Sequence, residues 1–280
     1  MAAHRDPRPI GVFDSGVGGL TVLAELHRRL PDEATVYLGD NARAPYGPRP
    51  ADEVTRFTLE AVDWLLAQDV KLLVLACNTA TSRALPEVRL RSGVPVLGVV
   101  RPGAVAAAAA TRARDVAVIA TAGTVESGAY YDAIVEADGA IEVAQLACPE
   151  LVPMVEAGIL DGRRAESVLR AYLEPLHAAH PRMDTLLLGC THYPLLRGPI
   201  ERIVGPDVAV VDSAFTTALA VEDLLDALGS RAPGGTAPVH RVATTGDVGA
   251  FVTVAHRLFG DALPEVEAVE IEVPAPVPVD

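Results

Sequence analysis

Three observations in the 280-residue sequence predict an α/β fold: two similar halves on mainly parallel sheets, facing one another across a site. Short apolar runs rich in Val, Leu and Ile alternate with amphipathic segments from Ile10 to Phe259. That alternation is the pattern of right-handed βαβ units, whose parallel sheets carry helices on both faces. One apolar run, Leu186-Leu187-Leu188, leads into Gly189-Cys190-Thr191-His192-Tyr193-Pro194-Leu195-Leu196, and 113 positions earlier Leu72-Leu73-Val74-Leu75 leads into Ala76-Cys77-Asn78-Thr79-Ala80-Thr81-Ser82. The grammar is the same, with Cys77 where Cys190 stands. Ligands of open parallel sheets bind beyond the carboxyl ends of the strands. Asp14, Tyr46, Cys77, Thr121, Cys190 and Asp212 all fall at or just after such ends, and they come from both halves.

The elements follow in order. Ile10 to Phe13 reads as a strand ending at Asp14-Ser15, and Gly16-Val17-Gly18-Gly19 turns it into a helix from Leu20 to Leu30. Small residues there let backbone N–H groups approach an anion, although neither the G-x-G-x-x-G fingerprint nor a Walker lysine is present. Thr35 to Asp40 is a second strand, followed by the turn-rich loop Asn41 to Pro48, a connector or a lid. A helix carries Val54, Phe57, Ala61, Trp64 and Leu65 at helical spacing. The Cys77 strand and Val94 to Val100 close the first half. Arg101-Pro102-Gly103 reads as a hinge and Ala104 to Arg112 as a helix. Asp115 to Ala120 restarts the pattern and ends in the hydroxyl-bearing loop Thr121-Ala122-Gly123-Thr124. A helix near Ser127 to Glu136 precedes a strand from Ile141 to Ala147, after which Cys148-Pro149 opens a loop carrying Glu150 and Glu156. A helix from Arg163 to Ala179 precedes the Cys190 strand. Val208 to Ser213 is a further strand and Ala214 to Leu228 a helix. Arg231 to Pro238 is a Pro/Gly connector, His240 to Thr245 a strand, and Val248 to Phe259 the last helix. The tail from Glu265 is an edge strand or a loose end.

Composition narrows the function. A chain that is 50% hydrophobic and 21% charged has the balance of a globular protein with a sizeable core. No apolar run reaches the ~18 residues that span a bilayer, and Met1 to Pro9 is polar, so a cytoplasmic protein without membrane contact is expected. A formal charge of −14 argues against direct nucleic-acid binding, where basic patches supply most of the affinity. Three widely spaced cysteines fit free thiols better than a disulfide frame. The only lysine, Lys71, stands at the wrong end of its strand to form a Schiff base with pyridoxal phosphate. His177 and His180 have no third ligand nearby in sequence and read as a solvated face rather than a metal site.

Taken singly, either Cys77 or Cys190 reads as a buried core thiol. The repeated context, with polar neighbours in both copies, favours function. A thiol at a strand end beside a helix N-terminus can hold a thiolate. Two such groups on facing halves suit a carbon centre that inverts through a planar carbanion, one side chain removing a proton from one face while the other donates at the opposite face. Asn78, Thr79, Thr191 and backbone N–H groups are candidates to hold the carboxylate that absorbs the charge. His192 stabilises a thiolate, donates to the substrate, or is satisfied within its own loop. Cys148 has no such partner context and reads as structural.

These residues carry a resemblance. Gly11 to Val22, Tyr37-Leu38-Gly39-Asp40 with Pro45-Tyr46-Gly47, Ala76 to Ser82 and Gly189 to Leu195 resemble the motifs of bacterial glutamate racemases, in the cofactor-independent aspartate/glutamate racemase superfamily, over residues 10 to 260. The resemblance implies two pseudo-symmetric α/β domains with the active site in the cleft between them: residues 1–100 with 212–280, carrying Cys77, and residues 101–211, carrying Cys190. It implies interconversion of L- and D-glutamate without a cofactor or metal, supplying D-glutamate for peptidoglycan, in a homodimer. Cys77 and Cys190 are the implied acid/base pair, the first serving the D and the second the L enantiomer, with Asp14, Glu156 and His192 assisting. Asp14-Ser15, Tyr46-Gly47, Asn78-Thr79 and Thr191-His192 match substrate-contacting pairs, and Thr121 and Thr124 join them. Where the family usually has an acidic residue before Pro102-Gly103, this chain has Arg101. Alternatives are a racemase of aspartate or another small diacid, and an additional non-enzymatic role as a DNA gyrase-binding protein.

Overall fold

The computed structural model describes residues 5–235, 237–260 and 263–271. The first part of the chain runs β1 (Ile10–Asp14), α1 (Leu20–Arg29), β2 (Thr35–Gly39), α2 (Ala51–Leu66), β3 (Leu72–Leu75), α3 (Asn78–Arg91), β4 (Val96–Gly98) and α4 (Val100–Ala110). The middle runs β5 (Asp115–Ala120), α5 (Ala122–Glu126), α6 (Ala129–Ala137), β6 (Glu142–Ala147), α7 (Leu151–Glu156), α8 (Gly162–Ala179), β7 (Thr185–Gly189), α9 (Arg197–Val204) and β8 (Ala209–Asp212). The chain then continues through α10 (Ser213–Leu228), β9 (His240–Thr244), α11 (Val248–Phe259) and β10 (Val266–Ala268). Two sheets result, one ordered β10-β9-β2-β1-β3-β4 and one ordered β6-β5-β7-β8. Every strand pairing among the described residues is parallel.

The central strands read as unbroken apolar runs because both faces of each sheet are covered. Ile10 and Val12 of β1, with Leu72 and Val74 of β3, face the layer formed by α1, α10 and α11. Phe13, Leu73 and Leu75 alternate to the opposite face, under α2 and α3. The second sheet repeats the arrangement: Leu186, Leu188 and Cys190 pack with α7, α8 and α9, and Leu187 packs with α4 and α6. The register sets Asp14 opposite Gly39 and Phe13 opposite Leu75, so the carboxyl ends of β1, β2 and β3 finish level. In the second sheet, Ala120 lies opposite Gly189, which levels β5 with β7.

Several sequence expectations change locally. Arg101-Pro102-Gly103 is no hinge but the first turn of α4, where proline costs little because first-turn N–H groups have no helical partner. Arg101 there pairs with Glu136 of α6 at 3.0 Å. Thr121 is the N-cap of the short helix α5 rather than part of a loop. The segment after Glu150 is helix α7. The helix after Cys77 begins at once, at Asn78. Helices of one or two turns escape detection because a 3.6-residue period needs a longer window to register. The tail's edge strand is β10; the residues beyond 271, Pro276 and Pro278 included, lie outside the described residues. No helix among the described residues is long and apolar enough to cross a membrane.

Candidate active site

The loops beyond the carboxyl ends of the two sheets meet. Thr21 Oγ1, at the start of α1, donates to the carbonyl of Thr191, just after Cys190, at 2.9 Å. Gly18 makes this contact possible: a Cβ there would stand 2.4 Å from Thr191 Oγ1 and 2.5 Å from His192 Nδ1. Gly47, in the loop after β2, accepts the Gly123 N–H of α5 at 2.9 Å. The hydroxyls of Thr79, Thr121 and Thr124 form a triangle with sides of 2.9, 3.0 and 3.3 Å. One corner comes from the first sheet's helices and two from the second's, and a three-hydroxyl cluster suits recognition of a polar ligand group.

Cys77 follows β3 and caps α3: its Sγ accepts the Ala80 N–H at 3.4 Å and its thiol donates to Ser15 Oγ at 3.3 Å. The thiol is buried. Burial, reinforced by the nearby negative charge of Asp14, pushes its pKa up to about 12 against the opposing hydrogen bonds of Ser15 and Ala80. Cys77 is therefore protonated at neutral pH. Asp14 ends β1 fully buried; its Oδ2 accepts the Gly16 N–H at 2.9 Å, while Oδ1 has no partner. Burial raises its pKa, opposed by His192 and by the backbone N–H groups of the Gly-rich turn.

Cys190 follows β7, and a relay of polar groups backs it. His192 Nδ1 lies 3.9 Å from Cys190 Sγ, and its Nε2 lies 3.0 Å from Glu156 Oε1 at the end of α7. Burial disfavours an imidazolium here, but contact with Cys190 and Glu156 outweighs it and lifts the His192 pKa to about 10. The two thiols thus have different supports: a protonated thiol among Asp14 and Ser15 on one side, and a thiol beside an imidazolium–carboxylate pair on the other.

The remaining sequence candidates fall around this core. Tyr46 is buried against Phe13 and Phe57, with its hydroxyl donating to Asp40; Gly47, next in the chain, is what meets Thr121. Asp212 is the N-cap of α10, accepting the Phe215 N–H and pairing with Arg197. Cys148 is buried, and burial raises its pKa to about 12. His180 lies 3.8 Å from Asp115. Sequence reading missed Tyr130 and Ser213, which both bond to Asn78. No local pattern marks either one, since Tyr130 reads as the apolar face of α6 and Ser213 as a strand end.

Two parallel sheets, each ending an interior strand in a buried thiol beside polar side chains, define an α/β fold of the racemase class. The chain belongs to the Asp/Glu/Hydantoin racemase family, whose model matches residues 10–221, and it is an amino-acid racemase, an isomerase. It is 47% identical to a glutamate racemase of Oceanobacillus iheyensis, over 91% of this chain and 93% of that protein. The crystal structure of a glutamate racemase isoform from Bacillus anthracis superposes with a TM-score of 0.90 at 41% identity, covering 94% of this chain and 98% of that one. The glutamate racemase of Francisella tularensis in complex with D-glutamate superposes at 0.87 with 32% identity, covering 95% and 99%.

Proposed function

We propose that this chain interconverts L- and D-glutamate by a two-thiol mechanism, with D-glutamate feeding peptidoglycan synthesis in the cytoplasm. The observation that carries this reading is the pair of cysteines, each at the carboxyl end of a central strand of its own sheet and each with its own acid/base support. The names of relatives, one of them solved with D-glutamate, support the choice of substrate. Sheet membership supports a division into residues 1–100 with 212–280 and residues 101–211. A homodimer is part of the same proposal.

In the L-to-D direction, Cys190 Sγ takes the α-proton while the Cys77 thiol delivers its own proton to the opposite face. The electron pair released from the broken C–H bond rests in the α-carboxylate until it forms the new C–H bond. The two sulfurs end with exchanged protonation states, so the reverse reaction begins from the product state. His192, held by Glu156, supplies positive charge beside Cys190 as that sulfur gives and takes the proton. Asp14 and Ser15 do the corresponding work around Cys77. Asn78, Thr79, Thr121, Thr124, Thr191 and the Tyr46-Gly47 backbone hold the substrate's polar groups. Dissolved in heavy water with L-glutamate and no added cofactor, the protein should exchange the α-hydrogen and lose optical rotation. Cys77→Ser and Cys190→Ser should each abolish racemisation. Wild-type rates in either variant would sink the mechanism, and a preference for aspartate in a substrate panel would sink the choice of substrate.

A further inference from the structure

One side chain reaches both cysteine motifs at once. Tyr130 of α6 is fully buried. Its ring lies against Gly189, the residue before Cys190, so closely that a Cβ there would stand 2.9 Å from Tyr130 Cε2. Its hydroxyl meets Asn78, the residue after Cys77, accepting the Asn78 Nδ2–H at 2.7 Å. A second hydroxyl completes the clamp: Ser213 Oγ, at the first residue of α10, lies 3.3 Å from the same Asn78 nitrogen. Asn78 is 3% exposed, and its Oδ1 is a buried acceptor with no partner. A buried amide oxygen left unpaired is costly, so a ligand group is the natural partner for the free end of this carboxamide. Tyrosine and serine hydroxyls both donate and accept. They therefore hold the carboxamide plane whichever end faces them.

We propose that Tyr130 and Ser213 are positioning residues of the racemisation site: their hydroxyls fix the Asn78 carboxamide that receives the substrate, while the Tyr130 ring seats the strand end that carries Cys190. This rests on the proposed function, in which Asn78 contacts glutamate. α6 belongs with the second sheet and Asn78 with the first, while Ser213 marks the return of the chain from β8 to α10. The clamp thus ties the orientation of one ligand-binding side chain to the seating of both halves.

The test is a double-mutant cycle on the full-length protein. Tyr130→Phe keeps the ring and removes only the hydroxyl, and Ser213→Ala removes the second contact by an independent route. Each should lower kcat/KM for glutamate about five-fold, the factor that one neutral hydrogen bond carries. In an Asn78→Ala background neither should lower it further, because the group they orient is gone. An equal loss with and without Asn78, or no loss in the wild-type background, overturns the proposal in favour of a purely structural tyrosine. Crystal structures of the wild type and Tyr130→Phe give a readout independent of activity: the Asn78 carboxamide should turn in the variant, and an unmoved carboxamide overturns the clamp. A wild type inert toward glutamate would count against the proposed function, while the orientation of Asn78 in the crystals would still decide the clamp.

Discussion

His192→Asn removes a positive charge that stands against Cys190, and its consequences follow from the geometry. The imidazole is 7% exposed and bridges Cys190 Sγ at 3.9 Å and Glu156 Oε1 at 3.0 Å. Despite the burial that opposes charge, these contacts lift its pKa from 6.5 to about 10, a preference for imidazolium of about 5 kcal/mol. The Glu156 side chain is 43% exposed, so solvent screens its share. A charge-assisted contact of this kind is worth about 2–3 kcal/mol to a sulfur that carries negative charge, the upper part of the range for hydrogen bonds to charged groups. Losing it should lower kcat/KM by about 30- to 150-fold, measured by circular dichroism from both enantiomers. Enantiomers have equal free energies in solution, so kcat/KM must fall by the same factor in both directions. Any asymmetry must show in kcat and KM separately and in deuterium uptake from heavy water. Stability carries a second signature. The folded pKa of His192 lies above its unfolded value, so its contribution is fully present below pH 6.5 and is lost as pH rises toward about 10. Wild-type urea midpoints should therefore decline across that window relative to His192→Asn. A fall in kcat/KM below about three-fold, together with parallel midpoints in the two proteins, would refute the assignment of His192 as a buried imidazolium serving Cys190.

Two further outcomes are expected. Gly18→Ala should force the Thr191–His192 loop away from the Gly-rich turn, since the new methyl would stand 2.4 Å from Thr191 Oγ1; the expected cost is about 1–3 kcal/mol in urea denaturation and about 100-fold in kcat/KM from displaced catalytic groups. Wild-type activity in Gly18→Ala would mean that the two loops do not need this close approach. Lys71 Nζ pairs with Glu33 at 2.6 Å, both side chains buried, and donates to the carbonyls of Asp6 and Ser230. Lys71→Met should therefore cost about 3–5 kcal/mol by stranding the carboxylate, with most of it recovered by adding Glu33→Gln. An unchanged urea midpoint in Lys71→Met would disprove that the pair is buried.

Much of the fold was legible because parallel sheets covered on both faces impose continuous apolar runs. Leu72 to Leu75 and Leu186 to Leu188 announce their strands without reference to anything distant. The duplicated cysteine motif placed both thiols at strand ends for the same local reason. What escaped was short or non-local. α5 and α7 are too brief to display a helical period, and proline in the first turn of α4 disguised a helix start as a hinge. The Tyr130–Asn78–Ser213 cluster joins residues separated by 52 and 135 positions, and no window along the chain contains it.

By itself, then, the sequence determined the strand–helix alternation, the residue type at each strand end and the pairing of one cysteine motif with another, all properties written in nearest-neighbour chemistry. Only the tertiary structure decided what those thiols experience. Burial beside Asp14 keeps Cys77 protonated, and the turn of α7 that brings Glu156 to His192 keeps a positive charge beside Cys190. Proton affinity depends on solvent exclusion and on charges brought close by folding. Two cysteines with nearly the same sequence context therefore acquire different chemistry.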